Sequence, residues 1–116
     1  MAFNRLDRIK EEYKREMASV IRTVKDPRMY EFTSVVSVDV TKDLKYAKVY
    51  ISVMADDEKK ASTLEALKSA TGYIKKEIGS RLNLRLVPHP TFVIDKSIEY
   101  GMHINDLIHK INNGDK

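Results

Sequence analysis

The sequence predicts a two-layer α+β domain, with helices packed on one face of a three-stranded sheet. Apolar residues recur at steps of three and four in several segments, which is the period of a helix with one buried face. In two other segments they alternate with polar residues, which is the period of a half-buried strand. A length of 116 residues allows one hydrophobic core. We therefore expect a single domain over 1–116, with 112–116 as a frayed tail.

A long amphipathic helix is predicted from about Arg5 to Lys25. Its apolar residues fall on one stripe, made of Leu6, Ile9, Tyr13, Met17, Val20, Ile21 and Val24. Pro27 should end the helix, because proline disfavours helical backbone at the preceding residue and cannot donate a backbone hydrogen bond.

Two strands are predicted next, Thr33–Val40 and Ala47–Met54. In both of them, small or branched apolar residues alternate with polar ones. The connection at 41–46 is short and polar, as hairpin loops are. We therefore predict that the two strands pair antiparallel.

Helical periodicity returns after three acidic residues at 56–58, whose carboxylates can cap the free amides of a helix start. The predicted inner face of this helix is Ala61, Leu64, Leu67 and Ala70. A second stripe, formed by Ile74, Ile78 and Leu82, continues beyond Gly72. Glycine lowers helix stability by about 1 kcal/mol relative to alanine. We therefore predict two helices with a kink near Gly72.

A short third strand, Thr91–Asp95, is predicted after a loop over 83–90. Pro90 cannot donate a ladder hydrogen bond, so the strand either starts after it or lies at a sheet edge. A last helix is expected from about Ser97 to Ile111. The element order is therefore α-β-β-α-kink-α-β-α, and the local patterns leave the order of the strands in the sheet open.

The formal charge of +4 is unevenly distributed along the chain. Residues 1–30 hold eight Lys/Arg and five Asp/Glu, and residues 59–96 hold eight and three, whereas residues 31–58 hold three and six. Two basic blocks favour a polyanion as partner, although a lysine-rich surface also serves solubility. The chain has no cysteine, no long apolar run and no apolar signal segment near its start. We expect a cytoplasmic protein that does not enter a membrane.

Motifs for catalysis, metals or cofactors are missing from the sequence. The four glycines form no nucleotide-binding loop. His103 and His109 would lie about 240° apart around a helix, so they do not share a metal-binding face. The acidic residues at 56–58 are better explained as a helix cap than as a cation site. We expect no cofactor, no metal and no enzymatic activity.

Basic residues surround the predicted kink at Ala70–Gly72. They are Lys68, Lys75, Lys76, Arg81 and Arg85. A glycine between two helices lets a phosphate approach the backbone closely, where exposed amides and lysines neutralise it; the glycine loop of KH domains works in this way. The alternative is that Gly72 only permits close helix packing and that the lysines are solvated.

Several motifs in this order make the chain resemble the bacterial ribosome-binding factor A family. They are Arg5-x-x-Arg8, Lys25-Asp26-Pro27-Arg28, Val38-Asp39-Val40-Thr41-Lys42-Asp43-Leu44, Ala47-Lys48-Val49-Tyr50, Arg81-Leu82-Asn83-Leu84-Arg85 and Asp95-Lys96-Ser97-Ile98-Glu99-Tyr100-Gly101. One departure is Pro88-His89-Pro90-Thr91-Phe92, where the family usually has Pro-x-Leu-x-Phe.

The resemblance implies a type II KH-like fold in which Ala70-Thr71-Gly72 replaces the usual glycine loop. It also implies a non-catalytic factor that binds the 30S subunit and assists late maturation of its 16S rRNA, especially in the cold.

We expect the chain to bind RNA as a monomer, through phosphate contacts more than base stacking. The expected RNA-binding residues are Arg5, Arg8, Arg28, Lys68, Ala70, Gly72, Lys75, Lys76, Arg81 and Arg85. The alternative is an adaptor that docks on ribosomal proteins or an assembly GTPase through the surface of the hairpin. A small hydrolase or phosphotransfer enzyme would need a site that the sequence does not contain.

Overall fold

A computed structural model describes residues 4–96 of the chain. Its elements are α1 (Arg5–Ile21), β1 (Thr33–Val40), β2 (Tyr46–Val53), α2 (Asp57–Ser69), α3 (Thr71–Leu82) and β3 (His89–Ile94). Three helices and a three-stranded sheet confirm the predicted α+β class. The predicted helix at Ser97–Ile111 and the tail at 112–116 lie outside the described residues.

Helix α1 begins with a capping box. The Asn4 side chain accepts a hydrogen bond from the Asp7 amide at 2.9 Å, and the Asp7 carboxylate accepts one from the Asn4 amide at 3.3 Å. The prediction that this helix reaches Lys25 is wrong, because it ends at Ile21. The amide and hydroxyl of Thr23 both donate to the Val20 carbonyl, at 2.9 and 2.6 Å. A tighter turn, with bonds between residues three apart, therefore replaces the α-helical bonds between residues four apart.

Strand β2 is the centre of the sheet, in the order β1-β2-β3. It pairs antiparallel with β1, which confirms the hairpin, and parallel with β3. Val49 lies opposite both Val38 and Phe92, and the alternate residues of β2 on the same face are buried under the helices. The apolar faces of the three strands therefore form the floor of one core.

Strand β3 begins at His89, two residues before the predicted start, and includes Pro90. The amides of His89 and Asp95 donate to carbonyls of Lys45 and Ile51, both at 2.8 Å. Alternate residues of β3 thus donate to β2, and the nitrogen of Pro90 falls on the free edge, where no donor is needed. Of the two predicted alternatives, the edge position is confirmed and the start after Pro90 is wrong.

Helices α1 and α3 cover the sheet with fully buried side chains from both. Met17 and Val20 of α1 join Ile74 and Ile78 of α3 in the core. Tyr13 is also fully buried, and its hydroxyl donates to the Pro88 carbonyl at 3.1 Å. Burial raises the pKa of Tyr13, so it stays neutral and able to donate.

Helix α2 starts as predicted, with the Asp56 side chain accepting from the Lys59 amide at 2.9 Å. Its predicted inner face is wrong at Ala61, which is exposed, and Thr63 and Ala66 are buried instead. Thr63 is tolerated in the core because its hydroxyl accepts a hydrogen bond from the Tyr30 amide at 3.2 Å. Tyr30 lies in the loop between α1 and β1. None of the described helices is long and apolar enough to cross a membrane.

Candidate nucleic-acid interface

The predicted kink is a complete helix break at a single residue, Ala70. Its φ and ψ angles are −91° and 5°, and it closes α2 and opens α3 at once. The Ala70 amide donates to the Ala66 carbonyl at 3.0 Å, and the Ala70 carbonyl accepts from the Ile74 amide at 2.9 Å. No side chain caps the start of α3, and no acidic residue lies in its first turn. Backbone amides at this helix start are therefore available to an anion.

Gly72 lies in the first turn of α3, exposed to solvent. Apart from its chain neighbours and its own helix backbone, a Cβ atom added there would meet no atom of residues 4–96 within 4 Å. Within residues 4–96 this contradicts one part of the alternative, that Gly72 permits close helix packing; the other part, that the lysines are solvated, stays a prediction. The packing role belongs to Gly79, about two helical turns further along α3, where an added Cβ would lie 2.7 Å from the Val87 side chain.

Two lysines lie beside Gly72 on the same helix surface. Lys75 and Lys76 follow it by three and four residues, the spacing of direct neighbours on a helix. Lys68, in the last turn of α2, stands on the other side of the break. None of these three lysines forms an ion pair within residues 4–96. Among the described residues, no carboxylate pairs with these three charges at the place where the backbone is open.

Two of the predicted arginines are bound within the molecule. Arg81 reaches Glu16 at 3.5 Å, Glu77 at 3.8 Å and the Ser19 hydroxyl at 2.8 Å, so it links α3 to α1.

Two nitrogens of the Arg28 guanidinium donate to the Asp26 carboxylate, at 3.1 and 2.7 Å. The guanidinium also donates to the Ser69 hydroxyl at 3.2 Å. The guanidinium lowers the pKa of Asp26 to about 2. Arg28 thus fastens the loop after α1 to the end of α2.

The remaining predicted arginines lie away from the break. Arg5 and Arg8 are exposed in the first turns of α1. It is the other end of this helix that approaches the break, where the hydroxyls of Thr23 and Tyr73 lie 2.6 Å apart. Sixteen residues of helix separate Arg5 from Ile21, a rise of about 24 Å. Arg85 is exposed beyond the far end of α3. The structure therefore gathers Lys68, Ala70, Gly72, Lys75 and Lys76 at one place and distributes the arginines elsewhere.

A cleft of about 370 Å³ separates the helix break from the edge strand β3. Lys68 and Thr71 line it on the helix side, and His89 and Thr91 on the strand side. A second groove of about 410 Å³ lies on the other side of the break, with Lys25 and Tyr73 in its walls. The sequence does not place His89, Thr91 or Lys25 at the break, because only the parallel pairing of β3 and the early end of α1 bring them there.

Within residues 4–96, no group of three or more His, Cys, Asp or Glu side chains is placed so that it could hold a metal ion. The described part of the chain is an α+β domain with an uncapped helix break beside lysines that form no ion pair within residues 4–96.

Comparison with known proteins gives the family. A family model described as ribosome-binding factor A matches residues 5–108. A ribosome-binding factor A from Clostridium botulinum (strain Loch Maree / Type A3) is 52% identical over 112 residues, which are 96% of this chain and 93% of that one. One from Clostridium beijerinckii is 50% identical over 118 residues, covering both chains completely. The chain belongs to the ribosome-binding factor A family.

Solved structures agree with the observed fold. The solution structure of a Thermotoga maritima protein, a putative ribosome binding factor A, has a TM-score of 0.74 at 29% identity and covers 85% of this chain and 94% of that one. Coordinates of the Thermus thermophilus ribosome binding factor A, fitted into an electron cryomicroscopy map of a 30S complex, have a TM-score of 0.66 at 25% identity, covering 77% and 93%.

Proposed function

We propose that this chain is a non-catalytic factor that binds the 30S ribosomal subunit and assists late maturation of its 16S rRNA, including in the cold. The observation that carries the proposal is the open backbone at Gly72 beside the unpaired lysines Lys75 and Lys76. Support for a ribosomal partner comes from family membership and from the Thermus thermophilus relative, whose coordinates were fitted to a 30S complex. The factor acts as a cytoplasmic monomer without a cofactor.

The element order α-β-β-α-α-β supports a type II KH-like architecture over a single domain spanning 1–116. In this proposal, the break at Ala70–Gly72 takes the place of the glycine loop between the two helices of a KH domain. The absence of a side-chain cap on α3 is consistent with an anion-binding role for its first amides.

The proposed mechanism is recognition of an RNA backbone by shape and charge. One phosphate approaches the bare surface of Gly72 and the first amides of α3, and Lys75 and Lys76 neutralise it and its neighbour. The strand continues along the cleft, where Lys68 and His89 face one another. Arg5, Arg8 and Arg85 extend the contact to more distant phosphates. Arg28 and Arg81 contribute less, because carboxylates already engage them.

The test is binding of the full chain to protein-free 16S rRNA and to salt-washed small subunits, over a series of salt concentrations. The variant is Lys75→Glu/Lys76→Glu. Its matched control is Lys42→Glu/Lys45→Glu, which changes the net charge equally at exposed positions in the hairpin loop. If the three lysines and the three arginines each neutralise one phosphate, the logarithm of affinity falls against the logarithm of salt concentration with a slope of about −4 to −5.5. We expect the variant to flatten this slope and to weaken binding by about 10- to 100-fold, and the control to bind as wild type.

Equal weakening by both variants would show that net charge acts without a defined site and would contradict the proposal. The adaptor alternative makes the opposite prediction, namely binding to intact subunits alone, unaffected by the charge reversal.

A further inference from the structure

An exposed tyrosine follows Gly72 directly, in the first turn of α3. Tyr73 is 44% exposed, and it lines the groove of about 410 Å³ on the side of the helix break that faces the end of α1. We call this groove the Tyr73 groove. It shares no lining residue with the cleft beside β3. The break therefore has a second concave surface, which the phosphate contacts proposed above leave empty.

The Tyr73 ring is held in one orientation by its hydroxyl. That hydroxyl lies 2.6 Å from the Thr23 hydroxyl, whose own proton goes to the Val20 carbonyl at 2.6 Å. A hydroxyl has only one proton to donate, so Tyr73 is the donor to Thr23. Its polar end is thus satisfied inside the molecule. A ring fixed in advance loses little conformational entropy when a ligand stacks on it.

The face of the Tyr73 ring is open, whereas two other tyrosines already carry a cation. The Lys59 ammonium lies 5.0 Å from the centre of the Tyr30 ring. The Lys48 ammonium lies 5.8 Å from the centre of the Tyr50 ring. In the described part of the chain, no aromatic ring or cation stacks on Tyr73. Proteins that bind single-stranded RNA stack bases on open aromatic faces of this kind.

Two lysines without a described ion pair stand beside the Tyr73 ring. Lys25 lines the groove, and no described carboxylate pairs with it. Lys76 follows Tyr73 by three residues, the spacing of neighbours on a helix surface. Asp26 also lines the groove, but the Arg28 guanidinium binds its carboxylate at 2.7 Å.

Other carboxylates near the groove are also balanced by cations. Glu77, in the next turn of α3, pairs with Arg81 at 3.8 Å. The groove adjoins a pocket of about 340 Å³ that shares part of its wall, and there Arg22 and Glu31 add one charge of each sign. The charge left unpaired beside the ring is therefore positive, which favours a polyanion over a basic polypeptide.

We propose that the Tyr73 groove takes an unpaired nucleobase, which stacks on the Tyr73 ring. Gly72 and Tyr73 are consecutive, with Cα atoms about 3.8 Å apart. A phosphate at the first amides of α3 therefore has its own nucleotide beside the ring, and Lys25 neutralises the next phosphate. This inference rests on the proposed function, and it narrows the RNA at the break to a single-stranded segment, because a paired base is not free to stack on a side chain.

The experiment measures binding of the full chain to three fluorescent RNA probes of nine nucleotides. They are oligoadenosine, a strand with the same ribose phosphates but no bases, and a duplex. We expect oligoadenosine to bind about 5- to 100-fold more tightly than the abasic strand, the contribution of one stacked base. Tyr73→Leu should lose this factor on oligoadenosine and should bind the abasic strand and the duplex as wild type does.

Two further variants serve as controls. Tyr73→Phe keeps the ring and loses only the hydrogen bond to Thr23, so it should retain most of the preference for oligoadenosine. Tyr46→Leu removes a tyrosine of similar exposure, 59%, from the face of the sheet away from the helices. It should bind all three probes as wild type does. Should circular dichroism show Tyr73→Leu unfolded, NMR of the wild type decides: the ring resonances of Tyr73 should shift with oligoadenosine and not with the abasic strand.

Salt dependence separates this inference from the proposed function. Tyr73→Leu removes no charge, so the logarithm of its affinity should fall against the logarithm of salt concentration with the wild-type slope. Lys75→Glu/Lys76→Glu should flatten that slope. A weakened lysine variant together with wild-type behaviour of Tyr73→Leu would overturn this inference and leave the proposed function standing. Wild-type binding by both variants would overturn both.

Two other results would contradict the base-stacking role. One is equal affinity of the wild type for oligoadenosine and the abasic strand, which would leave only phosphate contacts. The other is binding of a nine-residue peptide of alternating arginine and leucine, with chemical shifts changing at 23–26 and at Tyr73 that oligoadenosine does not produce. That result would assign the groove to a polypeptide.

Discussion

Helix α3 presents basic residues to two different regions, the seam with α1 and the helix break. Arg81 in the seam meets two carboxylates and a hydroxyl within 3.8 Å. Lys76, five residues earlier, is exposed and meets no described carboxylate. Both residues contribute one positive charge to the same helix. Arg81 is held because Glu16 and Ser19 of α1 and Glu77 of its own helix lie within reach, whereas no described carboxylate reaches Lys76.

The largest expected difference between the regions is in packing. Ile78 is fully buried and Ile78→Ala opens a cavity in the core, so we expect the free energy of unfolding to fall by about 2–5 kcal/mol. Lys76→Ala at the exposed surface should change it by less than about 0.5 kcal/mol. Urea denaturation measures both. Comparable losses of unfolding free energy in the two variants would contradict the claim that α3 is packed at Ile78 and open at Lys76.

The two glycines of α3 provide a matched pair. Gly72→Ala and Gly79→Ala each gain up to about 1 kcal/mol in helix propensity. Only the second meets a side chain, at 2.7 Å, and such overpacking costs about 1–3 kcal/mol. We expect Gly72→Ala to be neutral or stabilising. We expect Gly79→Ala to be less stable than Gly72→Ala by about 1–3 kcal/mol. Equal stabilities in thermal denaturation would contradict the packing difference.

A smaller effect is expected where arginine binds carboxylates at a partly exposed seam. Arg81→Gln should destabilise the protein by about 0.5–1 kcal/mol, a fall of several degrees in Tm for a domain of this size. Arg85→Gln, which removes an exposed arginine with no described ion pair, should leave Tm unchanged. High salt should reduce the difference in Tm between the two variants, because it screens the ion pairs of Arg81. A difference in Tm that does not change with salt would point to lost packing instead.

The smallest effect concerns the Asp26–Arg28 pair beside the break. The pKa of Asp26 is lowered from 3.8 to about 2 in the folded chain, first by the Arg28 side chain. The pair therefore stabilises the fold above pH 3.8, and that contribution is lost as the pH falls toward 2. A carboxyl NMR titration should show a midpoint near 2 in wild type and a return toward 3.8 in Arg28→Gln. An unchanged midpoint in the variant would assign the shift to other groups.

Much of the fold could be predicted because its signals are local. Alternation located β1 without error and β2 within one residue, and the acidic residues at 56–58 correctly marked the start of α2. The kink predicted near Gly72 is confirmed as a break at Ala70, two residues earlier. Errors arose where one side chain overrode the pattern. The Thr23 hydroxyl bonds the end of α1, and Thr63 is buried as a partner for a distant loop.

The candidate site was predictable in part, for the same reason. The basic residues around Gly72 follow from the sequence, as does the idea that glycine opens the backbone there. The facing wall of the cleft does not, because His89 and Thr91 reach it only through the parallel pairing of β3 with β2.

The types and order of the elements within residues 4–96, the glycine near the helix break and the resemblance to the ribosome-binding factor A family all follow from the sequence alone. These features depend on periodicity, proline and glycine, whose effects act within a few residues. The strand order, the edge position that accommodates Pro90 and the cations left unpaired among residues 4–96 follow only from how distant segments pack. Those outcomes depend on contacts between distant parts of the chain, such as the hydrogen bond from Tyr13 to Pro88 across 75 residues. Such contacts form only when the packed layers bring the partners together, so no local pattern contains them.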